Sequence, residues 1–285
     1  MTRTGQLTPT TAVAVELPTT QGPIAALRCG AHETGGEVLL LPGFTGSKED
    51  FTPLLDPLAD HGYRVTAIDL PGQFDSPGPH DPDAYTPDEL ALAVHAVAQS
   101  LSGPVHLVGH SFGGLVARAA VIARPELFTD LVLMSSGPAG LTGARRERIE
   151  VLEPLMSQGL PAVYAAIVAA YAHDPGYVQP PPELAAFLER RFLSGSAQML
   201  LGMGDALRRE PDRVDELVKT GVPVFVLYGA DDDAWAPSQQ LEMARRLRAG
   251  VAMIPGAAHS PAVENTADTA AAMLTFWSQA RLAIR

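Results

Sequence analysis

The chain is poor in cysteine and in basic residues. Its one cysteine, Cys29, cannot form a disulfide within the chain, and we interpret it as a small buried apolar residue. The 20 lysines and arginines are outnumbered by 32 aspartates and glutamates, so the formal net charge is −12. Nucleic acids and anionic membranes select proteins with a basic face. The composition therefore argues against both as partners.

Long hydrophobic runs are also missing. The longest apolar run covers residues 162–172, well short of the roughly 20 residues that a membrane-spanning helix needs. Residues 1–18 lack the basic start and apolar core of a signal peptide. We expect a soluble, cytoplasmic protein without a membrane span, either a monomer or a homodimer.

What the chain does contain is an alternation of short apolar runs and helical patterns. Apolar residues make up 46% of the sequence, which is enough for a large core. Runs typical of strands cover 11–17, 24–29, 38–41, 65–70, 105–108, 131–134, 224–228 and 251–254. The first two suggest a hairpin, and the other six are continuous enough to be buried on both faces of a parallel sheet.

Predicted helices lie between most of these strands. The clearest one starts with Thr86 as its N-cap, followed by Pro87 and Glu89, and runs through 90–101. Others open near Ser47 and end near Gly62, or cover 237–248 and 268–283. This alternation predicts an α/β fold with a mostly parallel eight-stranded sheet flanked by helices.

The segment 137–220 interrupts the alternation, because it contains no convincing strand. Helical patterns cover 162–171, 183–192 and 198–208, separated by Asp174-Pro175-Gly176 and by three prolines at 180–182. The segment is far longer than an ordinary crossover connection. We interpret it as a helical cap inserted after the sixth strand into a core domain formed by residues 1–136 and 221–285. The alternative is a set of ordinary surface helices.

The most informative motif is Gly109-His110-Ser111-Phe112-Gly113, which lies between the predicted strand 105–108 and a helical run at 115–123. A serine hydroxyl is a poor nucleophile unless it is exposed and close to a base. A sharp turn between strand and helix presents the serine at its apex, and glycines two residues before and after it allow the close approach. The motif predicts that Ser111 is a nucleophile.

A serine nucleophile needs a base and an acid that orients the base. His259 follows the last predicted strand, at the sheet edge where α/β proteins assemble their sites. The acid is expected after the seventh strand, where Asp231, Asp232 and Asp233 stand in a row, and the residues alone leave the choice among them open.

Acyl transfer also needs two backbone N–H groups that stabilise the oxyanion. The residue after the nucleophile, Phe112, is expected to supply one of them. The second should come from the loop 41–47 after the third strand, where Phe44 is our choice.

These motifs together resemble the α/β-hydrolase-fold serine hydrolases of the esterase and thioesterase type, over nearly the whole chain. The matching residues are Gly43-Phe44, Asp69-Leu70-Pro71-Gly72, Gly109-His110-Ser111-Phe112-Gly113-Gly114, Gly229 with Asp232, and Gly256 with His259. In the family pattern the acid falls three residues after the glycine that ends the seventh strand, which selects Asp232. Counting back from Pro237 would instead select Asp233. In the loop after the third strand, Pro42 stands before Gly43, where many relatives carry a histidine.

The resemblance implies a hydrolase in which Ser111 attacks a small apolar ester or thioester, His259 takes the proton and Asp232 orients His259. It implies no metal and no organic cofactor. The serine excludes the epoxide hydrolases and haloalkane dehalogenases of this fold, which use an aspartate. C–C bond hydrolysis, perhydrolysis and acyl transfer use the same triad and stay open, beside a non-catalytic binder of small molecules.

Other patterns receive plainer interpretations. His106 and His110 are four residues apart on a predicted strand, without the helical geometry of a zinc site, so we expect no metal there. Arg145, Arg146 and Arg148 are interpreted as a solvated charged face. Some of the large apolar cap residues should line a pocket; they are Tyr164, Tyr171, Phe187, Phe192, Met199 and Met203.

Overall fold

The computed structural model describes residues 5–19, 21–31, 35–173 and 178–283. Its strands are β1 Val13–Thr19, β2 Gly22–Cys29, β3 Gly36–Leu41, β4 Tyr63–Ile68, β5 Val105–His110, β6 Phe128–Met134, β7 Val224–Gly229 and β8 Gly250–Ile254. They form one eight-stranded sheet in the order β1-β2-β4-β3-β5-β6-β7-β8. The β1–β2 and β2–β4 pairs are antiparallel and all the others are parallel. The predicted sheet is confirmed.

The strand ends differ from the prediction where pairing decides them. β6 begins at Phe128, earlier than the apolar run indicated, because Phe128 pairs with Val105 of β5. β4 ends at Ile68, before Leu70, whose N–H is bound by the Gln73 side chain 3.0 Å away and so leaves the ladder. The prediction that strands are buried on both faces is wrong for β8, which is an edge strand with exposed Val251 and Met253.

The helices are α1 Thr52–Ala59, α2 Pro87–Ser100, α3 Phe112–Ala123, α4 Gly143–Leu152, α5 Leu160–Ala172, α6 Pro182–Ser194, α7 Ala197–Arg209, α8 Val214–Thr220, α9 Pro237–Leu247, α10 Pro261–Glu264 and α11 Thr266–Ala283. The expected cap of α2 is present, since Thr86 Oγ1 accepts a hydrogen bond from the Glu89 N–H at 3.3 Å. The helix expected to open near Ser47 starts instead as a 3₁₀ turn, Lys48–Phe51, and continues as α1.

The core consists of two apolar layers, one on each face of the sheet. Side chains alternate between the faces along a strand, so Leu39 and Leu41 of β3 belong to the layer that includes apolar residues of α2, α3 and α9, whereas Val38 and Leu40 belong to the layer that includes those of α1 and α11. This sandwich holds the carboxyl ends of the parallel strands rigidly at one edge. The loops that follow β3, β5, β7 and β8 lie at that edge.

Within residues 137–220 the structure contains α4, α5, α6, α7 and α8. α4 was not among the predicted helices, and the expected break at 174–176 lies outside the described residues. α8 packs against α3 and α9, so it joins the layer that covers the sheet. None of the helices that the structure describes combines the length and apolarity needed to cross a membrane.

Candidate active site

Ser111 lies at the turn between β5 and α3 in a strained backbone conformation, with φ 54° and ψ −120°. A non-glycine residue with positive φ is uncommon and persists only where its surroundings impose it. A Cβ atom at Gly109 would lie 2.3 Å from the Gly113 carbonyl oxygen, and one at Gly113 would lie 2.4 Å from the Pro42 oxygen. Both glycines are therefore required for the turn that presents Ser111.

Three loops bring the predicted nucleophile, base and acid together. His259 Nε2 lies 2.9 Å from Ser111 Oγ, and His259 Nδ1 lies 2.9 Å from Asp232 Oδ1. Because a carboxylate can only accept, the Nδ1–H donates to Asp232 and Nε2 is left to accept the serine proton. This arrangement can deprotonate Ser111 as it attacks a carbonyl.

The neighbouring aspartates have different partners: Asp232 contacts His259, whereas Asp233 contacts Arg145. Burial raises the pKa of the Asp232 carboxyl, but hydrogen bonds from His259, from the Ala234 N–H and from Gln240 Nε2 outweigh it and lower the pKa overall. Asp232 is thus held ionised beside the imidazole. Asp233 is half exposed and forms a two-pronged ion pair with Arg145.

Hydrogen bonds also hold the backbone on both sides of His259. Glu264 Oε2 accepts hydrogen bonds from the Ala258 N–H at 2.6 Å and the Ser260 N–H at 3.1 Å. His110 Nε2 lies 2.7 Å from the His259 carbonyl oxygen, to which it can only donate. Burial and then the nearby His259 lower the pKa of His110 to about 4. His110 is therefore a neutral support of the His259 loop, a role that its sequence position did not indicate.

His110 makes stability depend on pH in a defined direction. An unfolded histidine has a pKa near 6.5, so between about pH 6.5 and pH 4 only the unfolded chain takes up this proton. The contribution is fully present above pH 6.5 and is lost as the pH falls, by up to about 3 kcal/mol. Urea unfolding of wild type and His110→Gln at about pH 7 and pH 4 should show a shallower pH dependence in the variant. Identical dependences would contradict this.

The loop after β3, which carries Phe44, approaches Ser111. A Cβ atom at Gly43 would lie 3.0 Å from Ser111 Cβ, so the loop lies directly against the serine. The Gly46 N–H donates to the Gly43 oxygen at 3.0 Å, which closes a turn with Thr45 at φ 59°. That turn bond does not use the N–H of Phe44. Phe112 is the first residue of α3, where N–H groups have no partner within the helix.

A family model for alpha/beta hydrolases matches residues 38–272, which is most of the chain. The chain belongs to the alpha/beta hydrolase family. The resemblance drawn from the sequence motifs is thereby confirmed.

Relatives of this hydrolase include Lipase 3 of Moraxella sp. (strain TA144), 27% identical over 248 residues that cover 83% of this chain and 76% of that protein. Pimeloyl-[acyl-carrier protein] methyl ester esterase of Neisseria meningitidis serogroup B is 28% identical over 235 residues, which cover 79% of this chain and 86% of that protein. The crystal structure of a putative lipase from Acinetobacter baumannii AYE matches this chain with a TM-score of 0.76 at 21% identity, covering 95% of this chain and 92% of that one. At this identity the likeness shows a shared fold and no more. The protein is an enzyme of the hydrolase class.

The hydrolase has a cavity of about 800 Å³ that opens onto Ser111 and His259. Helices α4 and α5 supply much of its apolar lining, which includes Ile149, Leu152, Ala166, Ile167, Ala170 and Tyr171. A small alcove of about 40 Å³ adjoins it behind Phe44. Of the large apolar residues within 137–220 that were expected at a pocket, Tyr171 lines the cavity and Phe192 the alcove, whereas Met199 and Met203 are buried in the core.

Charged side chains at the cavity are mostly paired. Arg191 of α6 lies 2.7 Å from Asp50, whose other carboxylate oxygen accepts from the Ser47 N–H, so an ion pair joins α6 to the loop after β3. Arg145 is paired with Asp233, which corrects the expectation of a merely solvated face, while Arg148 is exposed at the cavity.

His106 and His110 face different partners, although they share one face of β5. His106 Nδ1 lies 2.6 Å from Asp130 Oδ2, whereas His110 faces the His259 carbonyl. The other oxygen of Asp130 accepts from Trp277 Nε1 at 3.1 Å. These two histidines therefore take part in separate hydrogen-bond networks.

Proposed function

We propose that this protein is a serine hydrolase that cleaves a carboxylic ester or thioester of a small, largely apolar substrate through an acyl-enzyme. The observation that carries the proposal is the continuous contact from Ser111 Oγ through the His259 ring to the buried Asp232 carboxylate, at 2.9 Å in each step. The strained turn that presents Ser111 to a cavity adds to it.

In the first half-reaction Ser111 Oγ attacks the carbonyl carbon of the substrate while its proton passes to His259 Nε2. Asp232 stabilises the imidazolium that forms and keeps the ring in the required tautomer. The negative charge that develops on the carbonyl oxygen is stabilised by the N–H groups of Phe44 and Phe112. When the intermediate collapses, His259 gives its proton to the leaving alcohol or thiol, and the acyl group stays on Ser111.

In the second half-reaction a water molecule attacks the acyl-enzyme. His259 takes the proton of the water, and the same two N–H groups stabilise the second oxyanion. The carboxylic acid leaves as the proton returns to Ser111 Oγ. Every proton transfer is carried by side chains of this chain, so these steps require no metal and no organic cofactor.

We further propose that the helices inserted between β6 and β7 act as a cap over this site. α4 and α5 line the cavity, and the Arg191–Asp50 ion pair attaches α6 to the 3₁₀ turn that follows the loop carrying Phe44. α8 packs on the sheet layer, so the cap ends before it. A cavity roofed by mostly apolar side chains suits an apolar acyl or alcohol group.

The proposal is tested with purified protein on p-nitrophenyl esters of increasing chain length, acyl thioesters and a 1,3-diketone as a C–C substrate. We expect saturable turnover of at least one ester or thioester and little with the diketone. Turnover of the diketone alone would move the function to C–C bond hydrolysis. Saturable binding without turnover would favour a binding protein.

The apolar wall of the cavity should control chain length. Ile167 lines both the cavity and the alcove, whereas its neighbour Val168 on α5 is exposed. Ile167→Trp is expected to lower kcat/KM for an octanoate ester by about 10-fold or more and to change that for acetate by less than about twofold, because only the longer chain needs the space. Val168→Trp is the matched control and should keep the wild-type profile. Equal losses for both esters would place the acyl chain elsewhere.

A further inference from the structure

Gln73, in the turn that follows β4, connects that turn to the loop that carries Phe44. The residue is only 1% exposed. Gln73 Nε2 lies 2.7 Å from the Gly43 carbonyl oxygen, and Gln73 Oε1 lies 3.0 Å from the Leu70 backbone nitrogen. The mechanism above assigns this residue no role.

The orientation of the amide group follows from its partners. The Leu70 N–H can only donate and the Gly43 carbonyl can only accept, so Oε1 must face Leu70 and Nε2 must face Gly43. The Gln73 backbone is held as well, since its N–H donates to the Leu70 oxygen at 2.9 Å and its oxygen accepts from the Ser76 N–H at 2.8 Å. Gln73 is thus a fixed donor aimed at one carbonyl.

The bond to Gly43 determines where the Phe44 N–H points. A peptide group is planar and trans, so the C=O of Gly43 and the N–H of Phe44 point in opposite directions. The Gly43 oxygen is held on one side by Gln73 and by the Gly46 N–H at 3.0 Å. The Phe44 N–H must then point to the opposite side of a peptide that lies against Ser111.

We propose that Gln73 is a positioning residue of the oxyanion hole, which holds the Gly43–Phe44 peptide so that the Phe44 N–H faces the substrate oxygen that becomes negative. The inference rests on the proposed function. Glycine at position 43 gives this peptide freedom to rotate, and the hydrogen bond from Gln73 restricts that rotation together with the bond from the Gly46 N–H. A donor that is already oriented costs no reorganisation when charge develops.

The effect should fall on kcat, because the oxyanion forms only in the transition state. Removing an oxyanion donor outright costs about 10²- to 10³-fold in kcat. Loss of the Gln73 donor leaves the Phe44 N–H present but less well oriented, and Phe112 is unaffected. We therefore expect kcat to fall by about 10- to 100-fold and KM to change by less than about threefold.

Two variants separate this role from structural support. Gln73→Glu keeps an acceptor for the Leu70 N–H but cannot donate to Gly43 when ionised, whereas Gln73→Met has a similar shape and lacks both groups. Gln239→Met is the matched control, because Gln239 is exposed, its side chain accepts from the Ala236 N–H at the start of α9, and it is not among the residues that line the cavity in the described part of the chain. Thermal unfolding shows whether each variant is folded.

The measurements are kcat and KM on the best ester, together with the Ki of a trifluoromethyl ketone, which forms a tetrahedral adduct with an oxyanion. Both Gln73 variants should bind this compound about 10- to 100-fold more weakly, in parallel with kcat, while the control is unchanged. A folded Gln73 variant with wild-type kcat and Ki, or one that loses only KM, would overturn the inference. An inactive wild-type protein would instead contradict the proposed function.

Discussion

Replacing Ser111 with alanine is expected to lower kcat for ester hydrolysis by about three or more orders of magnitude. The variant keeps the cavity, the proposed oxyanion donors and the His259–Asp232 pair, but it has no atom at position 111 that can form the acyl-enzyme. Ser278→Ala, on the exposed surface of α11, should retain wild-type activity.

The same pair of proteins can be examined without a substrate. A fluorophosphonate reacts with activated serines, so intact-mass spectrometry should show one adduct on wild type and none on Ser111→Ala. An adduct on both proteins would place the nucleophile at another serine. A folded wild type without an adduct, together with equal ester hydrolysis by both proteins, would refute the role of Ser111.

The second large effect is expected at Asp232 and not at its neighbour. Asp232→Asn should lower kcat by about 10³- to 10⁴-fold, because the amide cannot stabilise the imidazolium and favours the wrong tautomer of His259. Asp233→Asn alters only a half-exposed ion pair with Arg145, and such pairs contribute at most about 1 kcal/mol. Its kcat should stay within about twofold of wild type.

Steady-state kinetics of the two asparagine variants at one pH provide the comparison, with thermal unfolding to show that both are folded. The two substitutions are chemically identical and adjacent in the chain, so general effects of removing a negative charge cancel. A large loss in Asp233→Asn with near-normal activity in Asp232→Asn would assign the acid to the residue selected by counting back from Pro237.

Much of the fold could be predicted because the signals are local. The continuous apolar runs are the same residues that pack on both faces of the sheet, as the alternation of Val38 and Leu39 between the two layers shows. β8 departs from this pattern because an apolar run cannot show whether its strand lies at the centre or the edge of the sheet. α4 was missed because its sequence, rich in arginine and glutamate, has no strong apolar periodicity.

The residues of the candidate site likewise fall into those with a local sequence signal and those without one. Ser111 could be predicted because its conformation depends on glycines two residues away, and His259 because it follows the last strand. Gln240, Glu264 and Gln73 were not predicted, since ordinary polar residues at these positions carry no local pattern. The binding of Gln240 to Asp232 depends on the direction in which α9 leaves its loop.

The eight strands, the turn at Ser111, the histidine after the last strand and the family could be predicted from the sequence, because each depends on residue types within a few positions of one another. The three-dimensional arrangement was needed to show that Asp232 faces His259 while Asp233 faces Arg145, that His110 supports the His259 loop and that Gln73 holds Gly43. These contacts join side chains from separate loops. Their meeting is governed by strand order and helix packing, which no short stretch of sequence encodes.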